Sequence, residues 1–253
     1  MRGKNADGSS QSPFNPFKWG DAFTGGNSWH YTWAPVNDMT GLVGLMGGNK
    51  KFINKLNLVF SLPPVFDERW YGYIIHEMRK MQIVNRGQYV HGNQPMQHVV
   101  YLYNYAGAPW KTQYWVREIA NLLYYAGPAG YCGDEDAGQT SVWYIFSALG
   151  FYPVAPGTNQ YVLGTPLFKR ATVQLSNGKK IVTNASANNG HNRYVSNLVM
   201  DGKNYSKNWI SHSDLMKGTI LNFTMSALPN KTRGTKADDF PLSFYGENEN
   251  LEK

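Results

Sequence analysis

Three polar, glycine-flanked clusters hold the side chains of this sequence best suited to chemistry. The densest is Gly133-Asp134-Glu135-Asp136-Ala137-Gly138-Gln139. Consecutive carboxylates repel one another unless a cation, a positive helix end or a reacting water balances them. In an extended loop Asp134 and Asp136 would project alike and share one water, which such a base could deprotonate for attack on an electrophilic carbon. The same residues would also serve as plain caps of the helix that follows, where Asp and Glu are favoured. The second cluster is His91-Gly92-Asn93-Gln94-Pro95. Its amide oxygens suit a hard cation such as calcium, or sugar hydroxyls, and an ordinary polar turn is the alternative. His91 and His98 read better as core histidines than as a zinc pair. The third cluster is Phe23-Thr24-Gly25-Gly26-Asn27-Ser28-Trp29, with Tyr31, Trp33 and Asp38 downstream.

Composition narrows the classes of function. Aromatic residues make up 15%, with 8 Trp and 17 Tyr. Aromatic faces stack on the C–H faces of sugar rings, although a large core uses the same residues. The net charge of +7 suits anionic partners in principle, but the basic residues are scattered, and no basic stripe interleaves with aromatics. Nucleic-acid binding is not expected. No apolar run approaches the ~20 residues of a membrane span. The single Cys132 excludes an internal disulfide. No phosphate-cradling glycine loop, serine elbow or CxxC pair occurs. The Met1 end is polar and Gly/Ser-rich without a signal-peptide core, so the expectation is a cytoplasmic chain or one whose start has been lost or replaced.

The elements that must position these clusters follow from hydrophobic period. Helices are expected near Asp38, over about Lys51–Phe60, more weakly within Asp67–Arg86, and on the face Met96, Val99, Val100, Tyr103. Two more follow, on Tyr114, Trp115, Ile119, Leu122, Leu123 and Ala126, and from about Gln139 to Leu149 with Val142, Ile145, Phe146 and Leu149 as the apolar face. After Pro153 the period becomes 2, with strands at 161–163, 171–175, 180–182 and 219–223. Asn177-Gly178 signals a type I′ hairpin and Asp201-Gly202 another turn. The chain therefore divides into a polar N-terminal segment (1–16), helical hairpins (17–152), a small β-sandwich-like region (153–230) and a polar tail (231–253) that need not be well ordered.

The three clusters, in this order, resemble glycoside hydrolase family 92, the calcium-dependent exo-α-mannosidases. The strongest match runs from Gly133 to Pro156, Gly-Asp-Glu-Asp-Ala-Gly-Gln-Thr-Ser-Val-Trp-Tyr-Ile-Phe-Ser-Ala-Leu-Gly-Phe-Tyr-Pro-Val-Ala-Pro. His91–Pro95, Tyr101–Gly107, Pro109–Thr112, Gly26–Trp33, Tyr161–Gly164 and Trp209–His212 also fit, so the likeness covers about residues 17–228. It implies a partial (α/α)6-type barrel followed by a β-rich region, and a longer family member with an N-terminal domain that this chain does not include. It also implies a mannose-containing glycan as partner and a periplasmic or secreted location.

The family's chemistry is single displacement with inversion, aided by calcium. By resemblance Asp136 is the base and Asp134 assists it. Asn93 and Gln94 lie at the calcium and the sugar, His98, Trp29, Trp33 and Asp38 line the sugar, and Gln139 orients the base loop. Departures matter. The family's Glu-Gly-Asn reads Gly25-Gly26-Asn27, so its general acid is missing, a loss of roughly 10²–10⁴ in rate. Its Asn-Glu-Pro reads Asn93-Gln94-Pro95, its paired histidines read Gln97-His98, and its Pro-His-Asp reads Val36-Asn37-Asp38. His30 and Asp38 are the conceivable stand-ins for the acid. Three functions remain open: an α-mannosidase, a mannose-1-phosphodiester hydrolase whose leaving group needs no proton, and a truncated homologue that only binds mannose glycans.

Overall fold

The computed structural model describes residues 1–244. Its first half is helical. Asp38 caps α2 (Met39–Leu45) by accepting the Gly41 N–H at 2.8 Å, after the single-turn α1 (Ser28–Tyr31). α3 (Asn49–Ser61) buries Phe52, Leu56, Val59 and Phe60 at helical spacing, and α4 is confined to His76–Val84. The weak periodicity over Asp67–Arg86 thus becomes turns up to Ile75, and the helix ends at Asn85 in a left-handed conformation, φ 49°. α5 (Pro109–Leu123) begins on Pro109, whose missing N–H costs nothing in a first turn. α6 (Gln139–Leu149) is bounded by Gly138 and Gly150, both left-handed.

Two helical expectations change. The segment after Met96 is a 3₁₀ helix, Val99–Ala106, all eight residues of which are buried. Its Asn104 side chain donates to the Tyr101 carbonyl at 3.0 Å and to Leu163 O at 3.1 Å, tying the helix to a strand of the second half. On α6 the buried face is Thr140, Trp143 and Ser147, while Val142 and Ile145, expected inward, are 41% and 56% exposed.

The second half carries two sheets. One is three-stranded, β1 (Phe151–Tyr152), β2 (Gln160–Leu163) and β7 (Trp209–Ser211), in the order β1-β2-β7. The other runs β3-β4-β8-β5-β6, from β3 (Arg170–Gln174), β4 (Lys180–Asn184), β5 (Tyr194–Met200), β6 (Lys203–Asn204) and β8 (Thr219–Ser226). Only β4 and β8 pair in parallel. β8 alternates buried and exposed along its length, as a half-covered strand must. The short helix α7 (His212–Met216) leads into it.

The hairpin at Asn177-Gly178 forms, but its turn is not type I′. Only Gly178 has positive φ, 82°, and Leu175 pairs with Lys179 across a longer loop. The type I′ requirement of two left-handed residues is met instead at Asp201 (48°) and Gly202 (81°), between β5 and β6.

Two hydrophobic clusters form, one among the helices around Trp33, Phe52, Tyr101 and Trp143, the other between the sheets around Phe151, Leu198, Ile210 and Phe223. Of the tail, residues 231–244 pack onto the body. Asp239 and Ser243 are buried, and the Ser243 hydroxyl donates to Asp38 at 3.1 Å, beside the Phe244 N–H to Asn37 O bond of 3.0 Å. The remainder of the tail lies outside the described residues.

Candidate active site

The three clusters converge because the 91–95 loop bridges the other two. On one side, the Asn93 amide donates to Gly25 O at 2.6 Å. On the other, the Gln94 amide donates to Asp134 O at 3.1 Å and to the Thr140 hydroxyl at 3.3 Å. The backbones also touch: a Cβ on Gly92 would sit 2.6 Å from Cys132 O, and one on Gly133 would sit 2.6 Å from Gly92 Cα. Only two glycines permit that approach. Thr140, in the first turn of α6, is the hub. Its hydroxyl donates to Asp134 O at 2.8 Å and also accepts from Gln97 at 3.2 Å.

Beneath the loops lies a chain of buried aromatics. Tyr124 donates to Thr140 O at 3.2 Å, so it accepts from His91 Nε2 at 2.7 Å, and Tyr89 then donates to His91 Nδ1 at 2.6 Å. Burial pushes the His91 pKa down to about 3. His91 is therefore a neutral core residue with both ring nitrogens engaged, as expected.

The consecutive carboxylates avoid one another by taking separate directions. Asp134 meets His76 Nε2 at 2.9 Å and Lys80 Nζ at 3.3 Å, both on α4. The His76 hydrogen bond, with the Lys80 charge, lowers the Asp134 pKa below the ordinary carboxylate range. Glu135 accepts from the Ser141 N–H and hydroxyl at the start of α6, a capping role, and its Oε2 is buried without a partner. Asp136 is exposed and makes no side-chain hydrogen bond among the described residues. The loop is not extended there: Asp136 and Ala137 are left-handed, φ 45° and 55°. The geometry assumed for a water shared with Asp134 is thus absent at Asp136. Gln139 contributes its backbone, donating to Asp136 O at 3.2 Å.

Other expected residues lie elsewhere. Trp29 and Trp33 are 8% and 0% exposed in the helical core, Trp29 under the Lys55 ammonium at 3.8 Å and Trp33 edge-on to Phe52. As placed, neither ring offers a face to a sugar. Asp38 is spent on capping α2 and on Ser243. His98 is fixed by a 2.8 Å bond from Nε2 to Trp33 O. His30 accepts from Asn27 N at 3.2 Å and donates to Gln88 O at 3.0 Å, and burial lowers its pKa to about 3. Its ring is therefore neutral at pH 7, and its one N–H is held by Gln88 O. Gly25 itself has φ 61°, has no side chain to donate a proton, and has open space where a Cβ would be. Its N–H donates to the Tyr71 hydroxyl at 3.0 Å. The sequence does not single out Thr140, His76 or Lys80, and it marks Gln97 only as a departure from the family's paired histidines. Thr140 lies within the Gly133–Pro156 signature, whereas His76 and Lys80 sit on the weakest helical pattern and carry no local signal.

Two donor sets bear on a cation. In Asn93 and Gln94 the amide nitrogens are committed to oxygen acceptors, which leaves both amide oxygens free, and the buried Gln97 Oε1 nearby also lacks a partner. Neutral hard oxygens of this kind fit calcium. His76, Glu77 and Asp134 hold one ligand atom each within 4.8 Å of one another. There, however, Lys80 already supplies the positive charge, and an ion pair accounts for the cluster.

The glycosyl hydrolase family 92 catalytic domain matches residues 1–227. Among solved structures, the chain is similar to a family GH92 inverting mannosidase from Bacteroides thetaiotaomicron VPI-5482, with TM-score 0.84 and 46% identity over 97% of this chain. It is also similar to a family GH92 alpha-mannosidase of Bacteroides thetaiotaomicron, with TM-score 0.85 and 35% identity over 96% of this chain. That second protein has also been solved in complex with mannoimidazole. An uncharacterized secreted glycosidase of Arthroderma benhamiae is 25% identical over 219 residues, 85% of this chain. The chain spans 33% and 30% of the two bacterial structures and 25% of the fungal protein.

Proposed function

This chain belongs to glycosyl hydrolase family 92, and we propose that it carries the base side of an active site that hydrolyses α-mannosides in glycans with inversion. The observation that supports this best is the bridge made by Asn93 and Gln94, which joins the carboxylate loop to the loop at Gly25. In this reading residues 17–152 belong to an (α/α)6-type barrel and 153–230 to a β-sandwich-like module. Packing against the rest of the family fold would cover the exposed Leu45, Ile83, Val142 and Ile145. The fungal relative's description as secreted favours an exported protein.

Asp136 takes a proton from water as the water oxygen bonds to the anomeric carbon and the bond to the leaving oxygen breaks, the leaving group departing as an anion that takes its proton from solvent. Its exposed, unengaged carboxylate is free to receive that proton. Asp134, held ionised by His76 and Lys80, keeps a second negative charge on the same loop. Thr140 and Gln94 fix the loop's backbone. Asn93 and Gln94 would hold calcium, which supplies a grip on the sugar hydroxyls and favours ring distortion. The inverting geometry leaves room for the attacking water between base and acid sides.

Gly25 favours a second reading. No side chain there can protonate the leaving oxygen, and neither His30 nor Asp38 is free to replace it. A leaving group that departs as a stable anion, such as the phosphate of a mannose-1-phosphodiester, would not need that proton. The test is hydrolysis of an α-mannoside of a low-pKa phenol, with calcium present. Release of β-mannose as the first product that depends on Asp136 supports the reading; α-mannose as the first product refutes inversion.

A further inference from the structure

The carboxylate loop holds a strained backbone. Asp136 and Ala137 are left-handed at φ 45° and 55°, and Gly133 and Gly138 lie at 99° and 94°. Glycine takes such angles freely, whereas Asp136 and above all Ala137, which has no polar side chain to bond locally, take them at a cost. Strain of this kind persists only where the surrounding contacts over-determine it. The backbone is held at Asp134 O by Gln94 and Thr140, and at Glu135 O by the Thr140 N–H at 3.3 Å. Among the described residues two side chains of the loop are also tied down. Glu135 binds Ser141, which follows it closely on α6, while Asp134 reaches α4, 54 to 58 residues earlier in the chain.

The pattern of α4 suits an anchor. Met78 and Met81 are fully buried and fasten one face of the helix in the core. His76 and Lys80, four residues apart, stand one turn above the other on a different face. His76 Nε2 and Lys80 Nζ converge on the same oxygen, Asp134 Oδ2, at 2.9 Å and 3.3 Å. His76 Nε2 also lies 2.9 Å from Glu77 Oε1, which steadies the ring from its own helix. The Lys80 side chain is only 22% exposed, so its charge is less screened than a free surface lysine's. With both donors gathered on Oδ2, Asp134 Oδ1 carries no hydrogen bond among the described residues. The helix thus grips the loop by one oxygen and leaves the other available.

We propose that His76 and Lys80 are positioning residues: through Asp134 Oδ2 they hold the loop in the left-handed turn that presents the Asp136 carboxylate. This rests on the functional reading above. The test pairs hydrogen exchange of the amides of residues 133–139 with kcat and KM on the α-mannoside of a low-pKa phenol, in calcium. Lys80→Met should speed exchange in the loop and lower kcat roughly fivefold, about the worth of one such ion pair, with KM and the thermal midpoint unchanged. Adding His76→Gln should bring the loss in kcat to roughly tenfold. Lys80→Arg should restore most of the rate. Arg79→Met removes a charge from the same helix that makes no side-chain bond among the described residues, and should change neither readout. In an Asp134→Asn background Lys80→Met should add nothing to the exchange rate, because its effect passes through that carboxylate. Unchanged loop exchange in Lys80→Met, a change in KM alone, or a Lys80→Met effect that persists beside Asp134→Asn would overturn the role. Exchange needs no substrate, so a loop that loosens as expected in a chain without turnover would keep the anchor and defeat the functional reading instead.

Discussion

At the residue scale the decisive position is Gly25. The structure leaves open space around its would-be Cβ, so a glutamate fits sterically, at a cost of about 1 kcal/mol for a non-glycine residue at φ 61°. Gly25→Glu should raise kcat/KM on an unactivated α-mannobiose by roughly 10²–10⁴ and barely change turnover of an activated aryl mannoside. Steady-state kinetics on the two substrates check this, and equal effects on both would show that Gly25 does not occupy the acid's place. Individual residue types at this scale were legible in the sequence. Gln94 reaches the backbone of Asp134 and Asn93 that of Gly25, whereas Asp136 turns away in a left-handed conformation that its pattern did not signal. What the sequence could not show was which carboxylate is engaged. Asp134's partners His76 and Lys80 lie 58 and 54 residues away on a helix of weak pattern. Trp29 and Trp33 illustrate the opposite failure: a tryptophan reads alike whether it faces a sugar or fills a core, and here both fill a core.

At the element scale the site depends on two loops pressed together, and the contact is made by glycines rather than by catalytic groups. Gly92→Ala would drive a methyl group to 2.6 Å from Cys132 O, a backbone atom that cannot swing aside. The variant should lose about 1–3 kcal/mol of stability, as overpacking does, and lose activity beyond what that destabilisation explains. Thermal unfolding beside kcat/KM is the check, and unchanged activity would mean that the loops need not touch. Helix positions were readable from period and capping residues: α3 and α6 appear almost where expected. Two errors had physical causes. A segment buried on every side shows no amphipathic stripe, so Val99–Ala106 could not be told apart as 3₁₀. β5, although it lies between β8 and β6, has an irregular pairing between Val195 and Asn197 that breaks the strand alternation.

At the scale of the whole molecule, buried neutral histidines make stability depend on pH. His30 and His91 have folded pKa values of about 3, lowered by burial from 6.5. On acidification the unfolded chain takes up these protons first. Their contribution is therefore fully present above about pH 6.5 and is lost as pH falls toward 3, at about 1.4 kcal/mol per pH unit for each histidine. Urea midpoints should fall steadily from pH 7 to pH 4.5, and a flat profile would contradict the buried, neutral state of these rings. The helical half and the sheet half are joined by Asn104, by the Arg117 contacts to Pro166 O and Asn188, and by the tail at Ser243. These links lie far apart in sequence, so the seam between helices and sheets was not legible in it.

The central claim is that Asp136, on a loop fixed by Thr140 and Gln94, is the base of a mannoside hydrolase. It is tested most directly by kcat/KM for the α-mannoside of a low-pKa phenol, measured with calcium for this chain and for Asp136→Asn. The account predicts turnover in the first and a loss of at least roughly a hundredfold in the second. Equal rates in the two would contradict the assignment of Asp136, and no turnover in either would contradict the claim that this chain holds a working base.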